Sequence, residues 1–140
     1  MARLRLVGKR ISFIGMLGTS AEKRADLRAA GVEIAVKVQN RTQGGKDENN
    51  ARFKPYTPAY AKQKGVGVTQ VDLYRSGDML NNLDVLEVTD HSVAVGFSDS
   101  AMKQRAEHNE ARGRKFLGVP ASWIEAIKRS HLLRRMAQGR

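Results

Sequence analysis

The sequence predicts a one-domain α+β fold in which a central β-hairpin or small antiparallel sheet is flanked by helices. Three observations predict it. The 140 residues are the length of one domain, two β-branched runs flank a short polar turn, and apolar residues recur at helical spacing on both sides of them. Hydrophobic residues make up 41% and aromatic residues 6% of the chain, so we expect a mainly aliphatic core.

The long N-terminal helix is predicted over about 20–40. Thr19 and Glu22 form a capping box at its start. Val32 and Val36 fall on the side opposite the main apolar face, which predicts that two surfaces cover the helix, the second belonging to a neighbouring subunit. The residues of the main face are Leu27, Ala30, Gly31, Ile34 and Val38.

Short elements are predicted in the middle of the chain. Residues 43–50 are polar and glycine-rich and indicate an exposed loop. Thr57 is predicted to cap a short helix with Pro58 in its first position. Residues 68–73 are expected to be extended, and Ser76 is expected to open a second short helix.

The hairpin is predicted over 84–97, with its turn at 89–92. A helix capped by Asp99 or Ser100 follows and ends near residue 111. After a charged break, Phe116 and Leu117 are expected to anchor the chain in the core.

The C-terminal helix is predicted to begin at Pro120 or Ser122 and to reach Ala137. Its first half places Trp123, Ile124 and Ile127 on one side. Its second half places three apolar residues on another side, so one core cannot easily bury both groups, and the second group is a candidate contact with another chain. The predicted fold anchors are Phe116, Leu117, Trp123 and Ile127. The predicted interface residues are Val32, Val36, Leu132, Leu133, Met136, Arg134 and Arg135.

The net charge of +11 predicts an anionic partner, which is either nucleic acid or an acidic protein surface. After Gly113 there are seven cations and one acid, Glu125. Aromatic residues do not alternate with these cations, as they do in single-strand binders. We therefore divide the chain into a basic extension (1–18), a core domain (19–119) and a basic C-terminal helix and tail (120–140). We expect the basic ends, 1–10 and 128–140, to be loosely held in a free subunit.

Catalytic chemistry is not predicted. The chain has no cysteine and three histidines, which argues against a thiolate or histidine-rich metal site. Glu107, His108 and Glu110 are the strongest candidates for an enzyme such as a nuclease, but adjacent residues on one helix do not converge on one ion. We expect no cofactor, no metal and no membrane span.

Several segments, taken in order, share the pattern of one family of proteins. Residues 53–65 are similar to a Tyr-rich segment that ends in Lys. Residues 73–80 (Leu-Tyr-Arg-Ser-Gly-Asp-Met-Leu) look like the Leu-x-x-Ser/Thr-Gly-x-Leu/Met segment of these proteins, and 93–97 resemble the strand after it. Residues 106–109 resemble the Ala-x-His step, and 114–119 resemble the Arg-x-Phe-Leu-Gly step. In this order the segments resemble the phage virion-morphogenesis proteins, the group that completes tails and joins them to heads.

This resemblance covers about 21–133 and implies a non-enzymatic subunit of the virion neck, assembled as a ring of six or twelve copies around the DNA channel. It implies contacts with neighbouring neck, portal or adaptor, tail-tube or tail-terminator proteins, and with DNA passing through the ring. The basic beginning of the chain does not align with the family, and the glycine that follows the histidine is displaced to Gly113. The alternative interpretation is a small basic domain that binds DNA or RNA.

Overall fold

The computed structural model describes residues 8–53, 55, 57–65, 67 and 81–138. It confirms the α+β class. The predicted extended segment at 68–73 and the helix expected to begin at Ser76 lie outside the described residues. The described elements are β1 (Gly8–Ser12), α1 (Ser20–Gln43), α2 (Pro58–Lys64), β2 (Leu83–Val88), β3 (Ser92–Phe97), α3 (Ser100–Ala111) and α4 (Ala121–Ala137).

Among the residues that the structure describes, the sheet has three antiparallel strands in the order β1-β3-β2. The predicted hairpin is confirmed as β2 and β3, with a bulge between Val85 and Glu87. The third strand corrects the predicted N-terminal extension, because residues 8–12 pair with β3 and Phe13 is 1% exposed. The cations near the start of the chain had concealed the short strand Gly8–Ser12.

Helix α1 lies on the face of the sheet that carries Val85, Val93 and Val95. A Cβ atom added at Gly31 would lie 2.7 Å from a methyl carbon of both Val85 and Val93. Glycine therefore permits the close approach of helix and sheet. Alternate strand residues and the main face of α1 form the core, as strand and helix periodicity require. Its fully buried members include Phe13, Leu27, Ile34, Val93, Phe97 and Phe116.

The caps predicted at Thr19, Thr57 and Asp99 are confirmed. Thr19 Oγ1 accepts a hydrogen bond from the Glu22 backbone nitrogen at 3.2 Å, and the Glu22 side chain accepts from the Thr19 nitrogen at 3.2 Å. Thr57 caps α2, with Pro58 in its first turn, and Asp99 caps α3. These bonds satisfy backbone donors that have no partner inside the helix.

The second face of the sheet carries polar and small residues. Arg10 and Glu87 both lie opposite Ala94 in the strand register. Their side chains form an ion pair across it, with an N–O distance of 2.8 Å. Ser12 and Asp84 are also exposed on this face, whereas Ser92 and Ala94 of the central strand are buried.

Candidate interaction surfaces

The outer face of α1 exposes the apolar residues that were predicted as interface. Val32 is 49% exposed and Val36 is 45% exposed. Ala29 and Ala25 are exposed on the same side of the helix, one turn and two turns before Val32. We call these four residues the α1 stripe. It is continuous and apolar, as expected of a helix face that another chain covers.

The outer face of α4 exposes larger apolar residues. Leu133 is 61% exposed and Met136 is 65% exposed. Ala126 and Arg129 lie exposed on the same side at helical spacing, and we call these four residues the α4 stripe. Leu132, also predicted as interface, is only half-buried and lies beside the stripe.

A buried histidine holds α4 in place. His131 is 1% exposed. Its Nε2 accepts a hydrogen bond from the backbone nitrogen of Leu17 at 3.0 Å, and its Nδ1 lies 2.7 Å from Oδ2 of Asp26. The Nδ1–H is not aimed straight at that oxygen, so we treat this second contact as electrostatic rather than as a well-formed hydrogen bond. One side chain thus joins α4 to α1 and to the loop after β1.

Arg135 extends this connection one turn further along α4. Its guanidinium donates to Oδ2 of Asp26 at 2.8 Å and pairs with Glu22. The Arg135 side chain is 15% exposed, so its prediction as a free interface residue is corrected, whereas Arg134 is exposed as predicted.

These contacts also correct the expectation that the basic C-terminal segment is loosely held. Its acidic partners lie on α1, whereas the prediction considered only acids within the same segment. The sequence does contain a pattern that could have predicted these contacts. Two acids lie four residues apart at Glu22 and Asp26, and two basic groups lie four residues apart at His131 and Arg135. Such spacings place each pair on one helix face. Residues 1–7 and 139–140 lie outside the described part of the chain.

The segment that resembles Arg-x-Phe-Leu-Gly is fixed by hydrogen bonds on both sides. Oε1 of Glu110 accepts from the backbone nitrogens of Phe116 and Leu117, each at 3.2 Å. Arg41 donates to the carbonyl oxygens of Phe116 at 2.6 Å and Gly118 at 2.8 Å. Phe116 is fully buried and Leu117 is 6% exposed, so both lie in the core as predicted.

The remaining predicted anchors lie on the inner side of α4. Ile127 is buried, and Trp123 is half-buried against the core. The Arg41 guanidinium carbon lies 4.7 Å from the centre of the Trp123 ring, within cation–π range. Burial lowers the pKa of Arg41, although the carboxylates of Glu48 and Asp47 act to raise it.

The candidate catalytic residues of α3 do not converge. Glu107 and His108 are exposed, and Glu110 is engaged with backbone amides. Across the described ranges, no group of three or more acidic or histidine side chains could hold a metal ion. In the same ranges, no helix is long and apolar enough to cross a membrane.

Comparisons with family models, with curated proteins and with solved structures find no match to this chain.

Proposed function

We propose that this chain is a structural subunit of the neck of a tailed bacteriophage, where it forms a ring that completes the tail and joins it to the head. The observation that carries the proposal is the presence of two separate exposed apolar stripes, on α1 and on α4. Their four largest apolar side chains are between 45% and 65% exposed. The resemblance of the segments between residues 53 and 119 supplies the biological setting.

Two different stripes suit a ring. Subunits of a closed ring meet head to tail, so each presents one surface to the neighbour on its left and a different one to the neighbour on its right. A two-fold dimer would need one self-complementary surface. The ring proposed here acts by binding its neighbours and surrounding DNA, and it uses no catalytic residue, cofactor or metal.

Particle assembly tests the proposal. In a phage that carries this gene, its removal is expected to leave DNA-filled heads and finished tails unjoined, as seen by electron microscopy. Purified protein added to such an extract is expected to restore joined, infectious particles. Normal infectious particles formed without the protein would contradict the proposal.

The alternative function is binding of DNA or RNA by a small basic domain, which the net charge of +11 favours. Arg129 and Arg134 are its exposed cations on α4. Phosphate binding weakens with salt at a log–log slope of about −0.9 per contact on duplex DNA. Tight duplex binding at physiological salt that Arg129→Gln with Arg134→Gln abolishes, without effect on head–tail joining, would favour this alternative.

A further inference from the structure

We infer that the α1 stripe of one subunit packs antiparallel against the α4 stripe of the next, and that this contact is the repeating joint of the ring. The inference rests on the proposed ring assembly and specifies the surface that performs it. It commits to one occupant for both exposed stripes, namely a second copy of this chain.

Both stripes have the spacing of a helix–helix seam. On α1 the stripe residues are separated by four, three and four positions, and on α4 by three, four and three positions: Ala25, Ala29, Val32 and Val36, and Ala126, Arg129, Leu133 and Met136. Alternation of three and four keeps residues on one narrow line that faces a partner helix. Both stripes extend for about three turns, so the two lines match in length.

One antiparallel register places a large residue against an alanine at three of its four positions. It sets Met136 opposite Ala25 and Leu133 opposite Ala29. Small and large residues on facing positions allow two helices to approach and interdigitate without voids. At the other end of the same register, Val36 of α1 lies opposite Ala126 of α4, so the size relation reverses and is again complementary.

The charges agree with the same register. Arg129 lies opposite Val32, which brings its guanidinium beside Glu33 of the neighbouring α1. Both residues are exposed, and neither forms an ion pair or hydrogen bond within the described part of its own chain. Opposite charges at the margin of an apolar seam select register and partner more than they add affinity.

The positions of the two stripes on their helices make a row of joined subunits curve. On α4 the stripe lies on the side opposite His131, which contacts the subunit's own α1. On α1 the stripe and the side that carries Asp26 are separated by roughly a quarter turn. Successive subunits are therefore rotated relative to one another, as closure of a ring requires.

Disulfide trapping tests the joint, because the chain has no cysteine of its own. Ala29→Cys and Leu133→Cys are prepared as separate proteins, concentrated to their solubility limit and oxidised mildly. Each alone is expected to remain unlinked, and an equal mixture is expected to yield a disulfide-linked dimer. A chain that carries both substitutions is expected to yield a ladder that ends at the ring size. Gln104→Cys, exposed on α3, replaces Ala29→Cys in the control mixture and is expected to give no dimer.

A charge exchange provides the second measurement. Glu33→Arg and Arg129→Glu are each expected to reduce oligomer formation in light scattering by tenfold or more. The chain that carries both changes is expected to recover it. The equal mixture of the two single variants is also expected to recover it by alternating the two chains, because every joint between unlike chains pairs one arginine with one glutamate.

The outcomes separate this inference from the proposed function. Oligomers that form without a disulfide in the Ala29→Cys and Leu133→Cys mixture would overturn the joint and leave the ring standing. Dimers from Ala29→Cys alone would overturn it as well, because they require two α1 stripes to meet. Chains that remain monomeric at every concentration and within assembled particles would overturn both the joint and the ring.

Discussion

His131 Nε2 accepts a hydrogen bond from the backbone nitrogen of Leu17 at 3.0 Å, across 114 positions of sequence. The bond fixes the loop after β1 against α4, and Asp26 lies at 2.7 Å on the other side of the imidazole. The imidazole therefore contributes an acceptor on one side and a polar neighbour for a carboxylate on the other. In a buried position, loss of a partner leaves each polar group with its desolvation penalty.

His131→Leu is therefore expected to lower the free energy of unfolding by about 1–3 kcal/mol, because Leu17 loses its acceptor and Asp26 loses a polar neighbour. Urea denaturation followed by circular dichroism measures it. The matched control is His108→Leu, an exposed histidine on α3, for which we expect a change within about 0.5 kcal/mol. Equal effects of the two substitutions would contradict the role given to His131.

Local sequence signals predicted most of the fold. The capping box at Thr19, the hairpin over 84–97 and the buried Phe116 all depend on short-range patterns or on clear hydrophobicity. The strand Gly8–Ser12 was missed because cations conceal its local pattern and its partner β3 lies 80 or more residues away.

Contacts between residues far apart in sequence also explain why the candidate interaction surfaces were predicted only in part. The exposed valines and Leu133 follow from helical spacing alone. Arg135 is held within the subunit by Glu22 and Asp26 of another helix. Tertiary contacts of that kind cannot be predicted from the composition of one segment.

Phe116→Ala is expected to destabilise the protein by about 3–5 kcal/mol, because the ring is fully buried and its removal leaves a cavity. The Phe116 and Phe97 rings pack with centroids 6.3 Å apart, so the loss falls at the junction of β3 and the segment before α4. Thermal melting measures it. Lys115→Ala, at the exposed neighbouring position, serves as the control and is expected to melt like the parent. A surface-like effect of Phe116→Ala would disprove its place in the core.

Gly31→Ala tests the close contact of α1 with the sheet. Alanine favours a helix by about 1 kcal/mol over glycine, whereas overpacking of a core costs about 1–3 kcal/mol. Since the new Cβ would lie 2.7 Å from methyl carbons of Val85 and Val93, we expect net destabilisation. In a double-mutant cycle, Gly31→Ala combined with Val85→Ala is expected to cost less than the sum of the single changes. Stabilisation by Gly31→Ala alone would show that the helix lies further from the sheet.

Asp90 gives the stability a dependence on acid pH. Hydrogen bonds from the Ser20 hydroxyl and from Arg24 hold the pKa of Asp90 below its ordinary value of 3.8. A lowered pKa means that ionised Asp90 stabilises the fold above pH 3.8, and that this stabilisation is lost as the pH falls through the folded-state value. Asp90→Asn is therefore expected to lower the melting temperature well above pH 3.8, with the difference shrinking below it. A difference that is constant across this range would contradict the assignment.

Two neighbouring arginines of α4 provide the last test, because one is tied to α1 and the other is exposed. Arg135→Gln removes the ion pairs to Asp26 and Glu22 and is expected to lower the free energy of unfolding by about 2 kcal/mol, since hydrogen bonds to charged groups are worth about 1.5–3 kcal/mol. Arg134→Gln makes the same change of charge at an exposed position, so it is expected to leave unfolding within about 0.5 kcal/mol of the parent. Urea denaturation at low salt measures both. Destabilisation by Arg134→Gln with none by Arg135→Gln would mean that α4 is rotated by roughly a quarter turn or more, and in that orientation Leu133 and Met136 would no longer face outward.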